Sequence, residues 1–134
     1  MSMDSSNFPF VWMGLPDGSG NTFRQGFEEF EANLKRNEAF VLLTHSAPTE
    51  NHKHSQEEKK YTSLWMKKHK AELRNLVLAM IVIESSAAKR VALMAFGVIF
   101  LKFWGYPLVL ASTCEEALHT AEKLLLQSGK RGSI

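Results

Sequence analysis

The stretch VALMAFGVIFLKFW, Val91 to Trp104, carries one charge in fourteen residues. A run this apolar crosses a bilayer, fills a core, or is covered by another molecule. A spanning helix needs roughly 20 consecutive apolar residues. Backward, the run meets Arg90, Lys89, Ser86, Ser85 and Glu84; forward, it meets Gly105 and Pro107, which stop a helix. It is too short for a span. Wound as a helix, it is apolar at nearly every angle. Lys102 alone interrupts, and its stem can lie on apolar surface while its ammonium reaches water. One face must pack on the fold and the other needs a cover. Neighbouring helices, a second copy of the chain, or an apolar ligand or partner protein are the three candidates. Covering about 400 Å² of such surface is worth on the order of 10 kcal/mol before association costs, enough to hold a dimer together. The residues expected at an interface or apolar-ligand site are Phe96, Ile99, Phe100, Phe103 and Trp104, joined by Trp65 and His69 from an earlier helix.

The remaining segments alternate between strand and helix patterns. Phe8 to Leu15 is aromatic and β-prone, and PDGSGN (Pro16 to Asn21) closes it with turn residues. Pro9, near the start of this first strand, points to an edge or a strand-entry position. In TFRQGFEEFEANLKRN, Phe23, Phe27, Phe30 and Leu34 share one helical face. Ala39 to His45 reads as a buried strand, followed by a polar loop. Ser55 and Glu58 have capping-box spacing at the start of a second helix, whose face is Tyr61, Trp65, His69, Leu73 and Leu76. Val77 to Ile83 is the most apolar strand and is expected at the centre. The opening run is the third helix, Tyr106 to Ser112 the fourth strand. Thr113 and Glu116 cap a last helix, with Gly129 placed to end it.

The order β-α-β-α-β-α-β-α predicts an α/β fold, a mostly parallel four-stranded sheet flanked by helices. At 134 residues the chain is one domain, expected over 8–128, with 1–7 and 129–134 as flexible ends. A net charge of +2 gives no reason to invoke nucleic acid. One cysteine, Cys114, cannot form an intramolecular disulfide, and MSMDSSNFPF lacks the pattern of a signal peptide. A cytoplasmic protein is expected.

Candidate chemistry is sparse. His52 and His54, with His45 nearby, form an incomplete ligand set and read as a solvated loop. Cys114 opens a helix, where the dipole lowers a thiol's pKa, but Glu115 and Glu116 oppose that and no base stands beside it. A buried or half-buried inert thiol is expected, and a small enzyme using Cys114 is the least favoured reading. His69 reads as a core or interface histidine. PDGSGN lacks the lysine of a phosphate loop. No catalytic residue, cofactor or metal is assigned.

Two elements carry a family resemblance. A basic pair opens a helix at Ala87-Ala88-Lys89-Arg90, and the last helix begins Thr113-Cys114-Glu115-Glu116-Ala117-Leu118. Together with the strands before them, they resemble the second half of STAS domains, the fold of anti-sigma-factor antagonists. The chain looks like the SpoIIAA-like (STAS/SEC14-type) bacterial proteins of unknown function, and Trp65 resembles a tryptophan that these tend to carry in their middle helix. The resemblance covers roughly the last 60 residues and extends to the first half only through the order of elements. THSAPTENHKHS stands where the family carries an Asp-Ser-Ser-Gly turn, so no phosphorylated serine is carried over. The resemblance implies a non-enzymatic regulatory or interaction domain that binds a protein or a small apolar molecule; the apolar helix 91–104 adds the expectation of a homodimer or a protein partner docked there. A lipid or small hydrophobic ligand is the alternative, with Trp12 joining Phe96, Phe100, Phe103 and Trp104 around a pocket.

Overall fold

A computed structural model describes residues 2–14, 20–45 and 56–132. Its elements are β1 (Ser2–Asn7), β2 (Phe10–Gly14), α1 (Gly20–Lys35), β3 (Phe40–Thr44), α2 (Gln56–Leu76), β4 (Val77–Ile83), α3 (Ala87–Trp104), β5 (Leu108–Ala111) and α4 (Cys114–Gly132). The sheet has five strands in the order β1-β2-β3-β4-β5, not four. It is mixed: β1 runs antiparallel to β2, and β2, β3, β4 and β5 are parallel to one another.

The added strand lies where a flexible end at 1–7 was expected. SMDSSN has no apolar alternation, so periodicity could not reveal it. What holds β1 is tertiary. Asn33 of α1 donates from Nδ2 to Ser5 Oγ at 2.9 Å. The turn after β1 is held by Phe8 N–H bonding to Ser5 O, and the Arg36 guanidinium lies 4.5 Å from the Phe8 ring centroid.

Side-chain alternation divides the core in two. On one face, Val11, Leu42 and Met80 meet α1, α2 and α3 through Phe27, Phe30, Leu34, Trp65, Leu73, Leu93 and Phe100. On the other, Val41, Leu43, Ile81 and Ala111 meet Ala117 and Ala121 of α4. β3 takes the middle of the sheet, and all five of its residues are buried, which explains its unbroken apolar sequence. β4, expected at the centre, lies one position further along.

The helix ends follow local chemistry. Ser86 caps α3, its side chain accepting from Lys89 N–H, so the helix starts before the apolar run. Gly105 ends it in a left-handed conformation, φ 86°, its N–H bonding to Leu101 O. A Cβ there would lie 2.9 Å from Arg74 Cγ. At α4, Thr113 Oγ1 accepts from Glu116 N–H at 3.1 Å, while the Glu116 carboxylate reaches back to Ser112 N–H and Oγ. Gly129 does not end α4, which continues to Gly132. Ser55, His52 and His54 lie outside the described residues.

Candidate docking surface

Helix α3 is the last helix on its face of the sheet, touching α2 on one flank and β5 beneath. Its inward stripe is Leu93, Phe96, Phe100 and Trp104, at steps of three, four and four. Phe100 is buried, with ring centroids of Tyr106, Phe96 and Trp104 at 5.4, 6.1 and 6.2 Å. Burial pushes the Tyr106 hydroxyl's pKa up. Trp65 is likewise core, against Phe27 and Phe30 at 4.9 and 5.1 Å. Its Nε1 is buried without a hydrogen-bond partner among the described residues.

Four of the expected interface residues, Phe96, Phe100, Trp104 and Trp65, therefore pack within the chain's own core. Only Ile99 and Phe103 face outward. With them stand Val91, Met94, Val98 and Leu101, and the six are 47 to 66 % exposed. Exposed leucines elsewhere, Leu64, Leu118 and Leu126, are scattered over other helices; α3 presents a contiguous face. The missing sequence signal was which angle of α3 points inward, because a helix apolar all round has no preferred side.

Trp12 cannot join Phe96 and Phe100 around one pocket. Alternation along β2 turns Val11 and Met13 toward α1–α3 and Phe10 and Trp12 toward α4. Trp12 stacks on His45 instead, centroids 5.4 Å apart.

Beside α3 a groove of about 680 Å³ runs along the sheet edge. Arg90, Met94, Gly97, Val98 and Leu101 form one wall, and Leu108 and Leu110 of β5 the floor. At Gly97 α3 passes over β5, where a Cβ would make ordinary contact 3.7 Å from Leu108 Cβ. The groove's polar end holds Ser112 and Glu116. Hydrogen bonds from Ser112, side chain then backbone, hold the Glu116 carboxyl below the usual glutamate range, with a smaller push from Arg90. Arg90 Nη1 is itself anchored on Glu84 O and Ser85 O at 2.8 and 3.1 Å.

The two sheet edges differ. β1 is polar, its ladder is interrupted between Asp4 and Asn7, and Asp4 Oδ1 accepts from Ser6 N–H and Oγ. Those bonds lower the Asp4 pKa. β5, LVLA, has no charge and no irregularity in its register. Its Pro107 and Ala111 carbonyls accept from Met80 and Glu84 N–H of the β4 side. Because successive residues of a strand alternate direction, Leu108 and Leu110 turn their N–H and C=O groups to the open edge.

The remaining candidates stand apart. His69 is buried between two carboxylates, Nε2 3.0 Å from Glu31 Oε1 and Nδ1 2.9 Å from Glu72 Oε1. It ties α1 to α2 and is far in sequence from Glu31, so spacing gave no hint of the pair. Cys114 is exposed, not buried or half-buried as expected. Among the described residues no group of three or more His, Cys, Asp or Glu side chains is placed to hold a metal ion. Among them, too, no helix is long and apolar enough to cross a membrane. No family model, curated protein or solved structure matches this chain.

Proposed function

We propose that this chain is a non-enzymatic interaction domain, STAS/SpoIIAA-like in type, that associates with itself through α3. The observation that supports this is the contiguous outer face of Val91, Met94, Val98, Ile99, Leu101 and Phe103. Large side chains offer on the order of 150–200 Å² each, so this face leaves about 600 Å² uncovered, against roughly 800 Å² per partner in a standard interface. Fully burying such a side chain is worth roughly 1.5–3 kcal/mol. Two copies together therefore gain on the order of 10–20 kcal/mol, comparable to or above the cost of association. A reducing, cytoplasmic setting suits a chain whose one cysteine is exposed.

The groove beside α3 gives a second reading, an apolar ligand seated on Met94, Val98, Leu101, Leu108 and Leu110. Native mass spectrometry of the purified protein separates the two. Self-association predicts a ligand-free species at twice the chain mass. A chain carrying a small apolar molecule at single mass would favour the ligand instead.

A further inference from the structure

We infer that the second copy docks by adding its own β5 to the open edge of the sheet, so that two chains share one continuous ten-stranded sheet across a two-fold axis. This rests on the self-association proposed above and specifies its geometry.

The argument begins with the unused backbone. Leu108 and Leu110 present two N–H and two C=O groups outward, and the strand carries neither the charge nor the bulge that guards β1 at the far edge. A two-fold operator makes any such pairing antiparallel. Centred on Val109, it sets Leu108 of one copy opposite Leu110 of the other, and every outward group of the strand finds a partner.

The same operator covers the flank of α3 that faces the groove and leaves Ile99 and Phe103, on the other flank, uncovered. Strands pair about 4.8 Å apart and packed helices lie about 8–10 Å apart. Pairing at β5 therefore brings the two α3 helices side by side over the seam. The groove walls, Met94, Gly97, Val98 and Leu101, recur at helical spacing along the flank above β5. Antiparallel apposition seats Met94 of one copy near Leu101 of the other, with Val98 close to the axis.

Backbone amide exchange followed by NMR, on the full chain at several concentrations, tests this. Light scattering on the same samples gives the mass. The expected result is a dimer whose Leu108 and Leu110 amides exchange at least about tenfold more slowly than in the monomeric Val98→Lys variant. Val98 is exposed, so that variant keeps its fold, checked by its circular-dichroism melt. A dimer whose Leu108 and Leu110 amides exchange at the monomer rate would overturn edge pairing while leaving self-association through α3 intact. A monomer at about 100 µM would overturn both.

Discussion

At residue scale, Gly105 and Glu116 show how single positions set the geometry around α3. Gly105 combines a positive φ with the close approach of Arg74. Gly105→Ala should cost about 1–2 kcal/mol in urea unfolding, since an L side chain is strained there and Arg74 must also move. Glu116 titrates low because Ser112 bonds its ionised form. A depressed carboxyl stabilises the fold above its unfolded pKa, and that contribution is lost as pH falls through the folded value. Side-chain NMR titration should show Glu116 moving up in Ser112→Ala, with less acid-dependent loss of stability than in the parent. His69 was legible only in part. Its place on the apolar face of α2 could be read from spacing, but its partner Glu31 comes from another helix. That pair exists only once α1 and α2 are packed.

At the scale of elements, α3 has a buried stripe and an exposed face that one apolar sequence conceals. Phe100→Ala removes a buried ring and should cost about 3–5 kcal/mol of stability. Val98→Lys, two residues away but outward, should change monomer stability by less than about 0.5 kcal/mol. Thermal or urea melts of the two variants check the contrast. Helices α1, α2 and α4 were legible because their apolar residues recur at helical spacing; Phe27, Phe30 and Leu34 all lie in the core. Strands β2 to β5 were legible because they are apolar runs bounded by turn residues. β1 was not, because serine, aspartate and asparagine give no periodic signal and its place depends on contacts from α1 and the turn at Phe8. Which half of α3 stays uncovered was equally hidden. It follows from α3 being the last helix on its face, and the order of strands sets that.

At the scale of the whole molecule, the described residues form a sheet with one guarded edge and one open edge. Three helices cover one face, and α4 packs on β3, β4 and β5 of the other. The bare flank of α3 and the free edge of β5 lie together at the same border, with the groove between them. On the proposed reading their coincidence favours a second copy, whose strand would pair the outward N–H and C=O groups that a small ligand would leave to water. Light scattering after size-exclusion chromatography tests this most directly, comparing the parent chain with Val98→Lys at micromolar concentration. The account predicts about twice 15.1 kDa for the parent and 15.1 kDa for the variant. A parent that elutes as a single chain, or a variant that remains paired, would contradict it.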